Sequence, residues 1–281
     1  MSFSPAGTTI STILRHDRKQ TSYKIALLRS INDIVLNFPD LGDEDSDIAV
    51  PLLQLAEYWM AYYWAFVDST HPINQGRGKH PVGAGPNDMA FRPALTTLRR
   101  LFEEQHGEAG PHDGFFLMNQ MRIPRKRNSL SGELVEAYRT ARRKTSGSLN
   151  MPIKHAGPGK WNVFREPSQY KELPETVALP GTQMNNRCVV IPNALWQSFR
   201  QLSLWVEALC IHEWCLFTED VTEGDWDRGD IFRLLTSRPD NRVSLSWERN
   251  QINILLMEGK AFTCPWTGRT IRQSDNYHLD H

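Results

Sequence analysis

The stretch PLLQLAEYWMAYYWAFV, residues 51–67, decides how this chain folds. Pro51 suits a helix start, where its missing N–H is not needed and its fixed φ is already helical. Leu52, Leu55, Trp59, Tyr63, Phe66 and Val67 recur at helical spacing, and apolar residues occupy most of the remaining faces as well. A helix that is apolar on most sides belongs inside a core, so the rest of the protein is expected to wrap round it. Gln54, Glu57 and the tyrosines interrupt the tract before it reaches the roughly 18 apolar residues of a membrane span, so no membrane partner is expected.

Upstream, Tyr23, Leu27, Ile31, Ile34, Val35 and Phe38 predict a second helix that Pro39 closes, followed by an acidic loop from Asp40 to Asp47. Downstream, the Gly, Pro and Asn content marks residues 71–88 as loop. A third helix is expected from about Pro93 to Gln105, with Leu95, Leu98, Leu101 and Phe102 turned inward. Breaks at 107–114 and 156–159 bracket a basic segment, and the proline-rich residues 165–183 read as a traversing loop or linker. Cys188–Ile191 suggests a short strand. Pro192 then opens a long helix to about Phe217, with Trp196, Phe199, Leu202, Val206, Leu209, Glu213 and Leu216 along one side. A last helix is expected from about Ser246 to Glu258, stopped by Gly259. The fold class is thus mainly α: a helical region with the basic segment at 1–155, a linker at 156–186, a second helical region at 187–259, and a change of pattern at 260–281. Trp59, Trp64, Trp196, Trp205 and Trp214 read as core residues, and so do Cys210 and Cys215.

Lys plus Arg and Asp plus Glu stand at 32 each, so the distribution of charge matters more than its sum. Arg122, Arg125, Lys126, Arg127, Arg139, Arg142, Arg143 and Lys144 crowd one segment, opposed only by Glu133 and Glu136. Such a cluster fits contacts to the phosphates of DNA, the alternative being a solvated face. Arg15, Arg18 and Lys19 form a smaller group that reads as solvated surface. The four cysteines include no C-x-x-C pair, which argues against a disulfide framework and for a reducing, cytoplasmic setting. No apolar core of a secretion signal follows the N-terminus. His212-Glu213 opens an H-E-x-x-H pattern, but Leu216 stands where the second His belongs, which excludes a zinc protease. Glu207 and Glu213 are expected to pair helices.

After Gly259 the pattern changes. Ala261-Phe262-Thr263-Cys264 can pair with Arg269-Thr270-Ile271 across the turn Pro265–Gly268, and the alternating run Tyr277-His278-Leu279-Asp280-His281 reads as a strand. The segment C-P-W-T-G-R-T-I followed by Y-H-L-D-H resembles the opening of the HNH endonuclease motif, also called the ββα-metal or His-Me finger. The resemblance implies Asp280 as a metal ligand, His281 as the general base, and a divalent cation such as Mg²⁺ acting on DNA. Those residue types suit phosphodiester hydrolysis, because imidazole can deprotonate water near pH 7 and a carboxylate is a natural Mg²⁺ ligand. It further implies a role in restriction or defence, by analogy of family.

This sequence departs from the family pattern in two places. Many relatives bind a structural zinc through C-x-x-C at the hairpin. Here Thr267 replaces the second Cys, so no structural zinc is expected. The family's Asn and final metal ligand lie downstream of the Asp-His pair, so the motif is read as truncated and the 281-residue chain as inactive by itself. The expected tail is a strand over 277–281 beside the Cys264 hairpin, with Phe262, Trp266 and Ile271 leaning on the preceding helix. Two other readings stay open, a non-catalytic DNA-binding module and a protein-interaction module, with either a second copy or another protein as partner.

Overall fold

The computed structural model describes residues 5–42, 45–77, 88–236, 252, 255–264 and 267–272. The chain divides into two compact units, Met1–Arg238 and Pro239–His281. Helix dominates.

In the first unit, α1 (Pro5–Arg15) and α2 (Tyr23–Asn37) lead to strand β1 (Ile48–Pro51), which runs directly into α3 (Leu52–Tyr63) and its 3-10 extension Trp64–Val67. Then come α4 (Arg92–His106), α5 (Asp113–Arg122), the single turn α6 (Pro124–Arg127), α7 (Gly132–Ser148) and α8 (Asn150–Lys154). Short strands β2 (Ser168–Gln169) and β3 (Val177–Ala178) precede β4 (Arg187–Ile191), the long helix α9 (Asn193–Val221) and α10 (Arg228–Thr236). α3 is buried from Leu55 to Tyr63 and packs against α2, α5 and α7, while α9 takes α1, α2 and α10. The expectation of a central helix at 51–67 is met.

The sheet has the order β2-β4-β1-β3. β1 and β4 are antiparallel, with Ile48 opposite Ile191 and Pro51 opposite Cys188, so the two strands feed α3 and α9 from opposite ends of one ribbon. Asp47, in the acidic loop, accepts a hydrogen bond from the Asn193 backbone N–H at 2.8 Å. That carboxylate satisfies an N-terminal donor of α9 and opposes its dipole. Residues 156–186 do not separate two domains. β2 pairs with β4, and β3 pairs in parallel with β1, so the stretch read as a linker closes both edges of the sheet within one unit.

Trp205 also departs from expectation. It is 77% exposed, whereas Trp59, Trp64, Trp196 and Trp214 are fully buried. Nine residues separate Trp205 from Trp196 and from Trp214, about two and a half helical turns, which puts it on the opposite face of α9. Lys19 is not surface either. Its side chain is 11% exposed, and its ammonium donates to the Leu14 carbonyl at the end of α1. Burial draws its pKa below the usual lysine range although Glu213 and Asp17 oppose the shift.

Arginines close the buried helix ends. Arg99 donates to Trp64 O at 3.0 Å and Arg92 to Phe66 O at 2.7 Å, giving side-chain donors to carbonyls of the 3-10 extension that ends α3. Arg29, 1% exposed, donates to Leu235 O at 2.8 Å and ties the end of α10 to α2. A buried neutral network joins α2, α3 and α9 through Gln75. Its Oε1 accepts from Ser22 Oγ at 2.8 Å and from Trp214 Nε1 at 2.7 Å, while Nε2 donates to Thr218 Oγ1 at 3.2 Å. Ser22 Oγ also meets Tyr63 OH at 2.7 Å.

In the second unit, residues 255–257 end a helix at Gly259, whose φ of 81° is left-handed. The N–H of Gly259 bonds Leu256 O and that of Lys260 bonds Leu255 O, the paired bonds of a Schellman stop. β5 (Phe262–Thr263) then pairs antiparallel with β6 (Thr270–Ile271), Phe262 opposite Ile271. Trp266, the strand expected over 277–281 and the start of the helix expected from Ser246 lie outside the described residues.

Replacing Gln75 with Ala leaves the Trp214 N–H, Ser22 and Thr218 hydroxyls without their buried partner. The expected cost is about 2–4 kcal/mol in urea unfolding. A loss below about 1 kcal/mol would show that the network contributes little.

Candidate nucleic-acid interface

The basic segment spans the end of α5, all of α6 and most of α7, and the structure sorts its cations by direction. Glu57 on α3 is the deciding group. It is the one carboxylate in residues 51–67 and is 8% exposed. Arg122 Nε lies 2.9 Å from Glu57 Oε2, and an Arg142 guanidinium nitrogen (Nη1) lies 2.7 Å from Oε1. The Arg122 guanidinium also sits over the Tyr58 ring, 5.0 Å from its centroid. Burial alone would lower the Arg122 pKa, but the Glu57 carboxylate beside it prevails and raises it. These two arginines were expected to meet phosphate. Both are ion-paired to Glu57 while about a third of each side chain stays exposed, 32% for Arg122 and 31% for Arg142; a buried carboxylate without them would be an uncompensated charge.

The remaining cations turn outward or sideways. Arg125 and Lys126 are exposed on α6. Arg127 is half-buried and donates to Met121 O at 3.1 Å, which closes the chain between α5 and α6. On α7, Arg139 and Arg143 are 55% and 67% exposed and share Glu136, at 3.6 and 3.2 Å. Lys144 is exposed next to them. Surface pairs of this kind are weak and are readily exchanged for another anion. Arg125, Lys126, Arg139, Arg143 and Lys144 are therefore the cations of the segment that neither Glu57 nor a backbone carbonyl holds.

The orientation of α7 explains the division. Leu134, Tyr138, Ala141 and Thr145 make its buried stripe at helical spacing. Arg142 follows Tyr138 by one turn and borders that stripe, whereas Arg139 and Arg143 lie beyond it. The spacing was present in the sequence and could have separated Arg142 from its neighbours. Ser131 starts the helix by accepting from the Leu134 N–H at 3.1 Å.

The hairpin of the second unit has the expected form. Cys264 N–H bonds Arg269 O at 2.9 Å, Gly268 N–H bonds Cys264 O at 2.8 Å, and Gly268 takes a φ of 66°. That left-handed conformation favours the glycine of C-P-W-T-G. Asp280 and His281 lie outside the described residues. Among the described residues no group of three or more His, Cys, Asp or Glu side chains is arranged to hold a metal ion.

The model of a family described as "Domain of unknown function (DUF8808)" matches residues 4–235, and the chain belongs to that family. The match covers the first unit and ends before the hairpin. No curated protein and no solved structure matches the chain.

Two neighbouring substitutions on α7 should separate the two kinds of arginine. Arg142→Ala strips Glu57 of a partner and is expected to cost about 2–4 kcal/mol. Arg143→Ala, one residue on, should stay within about 0.5 kcal/mol. Equal losses in denaturant melts would place both on the same footing and undo the assignment.

Proposed function

We propose that this member of the DUF8808 family serves a metal-dependent, HNH-type DNA endonuclease, its helical unit gripping the DNA backbone. The observation that carries the reading is the Phe262–Ile271 hairpin, built on C-P-W-T-G and leading into Y-H-L-D-H. In this reading His281 takes the proton from the water that attacks phosphorus, since an imidazole titrates in the needed range. Asp280 would hold the divalent cation, which stabilises charge on the phosphate and the leaving oxygen. Arg125, Lys126, Arg139, Arg143 and Lys144 contact phosphates and read no bases, so they contribute affinity without sequence preference. By analogy with the family resemblance, the setting is cytoplasmic restriction or defence.

Binding and cleavage are tested separately. The logarithm of duplex affinity should fall linearly with the logarithm of salt concentration. Replacing the five outward cations with Ala should flatten that slope by roughly 2–4, given about 0.9 per phosphate contact. An unchanged slope would return those residues to a solvated face. Mg²⁺-dependent nicking of supercoiled plasmid, by protein carrying the complete motif, should vanish in Asp280→Ala and in His281→Ala. Nicking that persists in both would assign the chemistry elsewhere. DNA binding with no cleavage in any form would favour a binding module.

A further inference from the structure

A second region of the helical unit has the features of a ligand site. A cleft of about 790 Å³ opens between the α1–α2 turn, the residues before α4 and the segment after α8. Tyr23, Ala90, Met151, Pro152 and Pro158 give it an apolar wall. Arg18, Lys19, Lys24, Lys160, His16 and His155 line the rest. Two carboxylates also face it, and both are engaged. Asp17 takes Lys24 Nζ and the Gly157 N–H, each at 2.8 Å, and Asp88 takes Arg92 at 2.5 Å. Lys19 has Glu213 at 4.0 Å. Arg18 and Lys160 are thus the exposed cations of the rim.

The segment bearing Lys160 is tightly constrained. Gly157 has a φ of 80°, and a Cβ there would come within 2.8 Å of Val163 Cγ2. Trp161 is left-handed at φ 55°, an uncommon conformation for a bulky residue. Its N–H bonds Lys154 O at 2.8 Å, and the Lys154 ammonium sits 5.7 Å from its ring centroid. With Asp17 holding Gly157, the loop Gly157–Trp161 is anchored at both ends, so Lys160 is presented from a fixed frame. Backbone strain of this kind persists only where the surroundings impose it.

We propose that this cleft binds a nucleoside phosphate, with Arg18 and Lys160 on the phosphate and the apolar wall against the base and sugar. The volume falls in the range of small-ligand sites and far exceeds a bare phosphate, and an apolar wall would be wasted on one. None of the outward cations of α5–α7 lines the cleft, so this site is separate from the proposed DNA-contacting face.

Calorimetric titration of the intact chain tests the assignment without DNA, so its failure would leave the nuclease reading untouched. ATP and AMP are expected to bind with Kd below about 1 mM, and inorganic phosphate at least about tenfold more weakly. The double variant Arg18→Glu, Lys160→Glu should weaken nucleotide binding at least about tenfold at an unchanged melting temperature, since both side chains are exposed. A 5′-phosphorylated dinucleotide that binds more tightly than AMP identifies a strand end as the natural ligand, and one that binds more weakly identifies a free nucleotide. No heat with either nucleotide at millimolar concentration, binding unchanged in the double variant, or phosphate binding as tightly as AMP would each overturn the proposal.

Discussion

A carboxylate sits on a helix that is buried from Leu55 to Tyr63, and much of the surrounding structure answers to it. Glu57 is 8% exposed, and an isolated charge at such a position would cost several kcal/mol. Arg122 and Arg142 reach it from the end of α5 and from α7, within hydrogen-bond distance of separate oxygens. At the far end of the same helix the carbonyls of Trp64 and Phe66 take side-chain donors. Arg92 and Arg99 of α4 supply them. Three outer helices are thereby fixed against α3 by charge-assisted bonds in addition to apolar packing. The arrangement has a direction: guanidinium groups from outside meet oxygens on the central helix.

That constraint also shapes the face offered to a polyanion. With Arg142 drawn inward to Glu57, the rotation of α7 is set, and Arg139, Arg143 and Lys144 are left facing solvent. Composition alone makes the segment look like a uniform basic patch. The structure instead divides it, because Arg122 and Arg142 are held by Glu57 and Arg127 by a backbone carbonyl while the other five cations are not. Removing an inward arginine and removing an outward one therefore have different consequences for the protein. Only the first acts through the fold.

What could be read from the sequence was local. The buried helix at 51–67, the helices ending at Asn37 and beginning near Pro93, the strand before Pro192, the glycine stop at 259 and the Cys264 hairpin each follow from a period or a turn residue within a few positions. What escaped depends on distant partners. β2 and β3 are two residues each and exist because β4 and β1 offer edges to them. Asp47 caps α9 from 146 residues away, and Glu57 meets Arg122 and Arg142 across 65 and 85 residues. Trp205 is nine residues from both Trp196 and Trp214, half a turn out of phase, so a count of tryptophans at helical spacing does not reveal that it faces the other way. The strand expected over 277–281, on which the catalytic reading rests, lies outside the described residues.

The central claim is that Glu57 and the inward arginines act as one unit, and a double-mutant cycle measures that coupling directly. Glu57→Gln, Arg142→Gln and the double variant would be unfolded in urea alongside the parent chain. The account predicts a coupling energy of about 1.5–3 kcal/mol, because removing either partner leaves the other buried without its counter-charge. Strictly additive losses, with coupling below about 0.5 kcal/mol, would mean that the contact is incidental and that apolar packing alone orients α7.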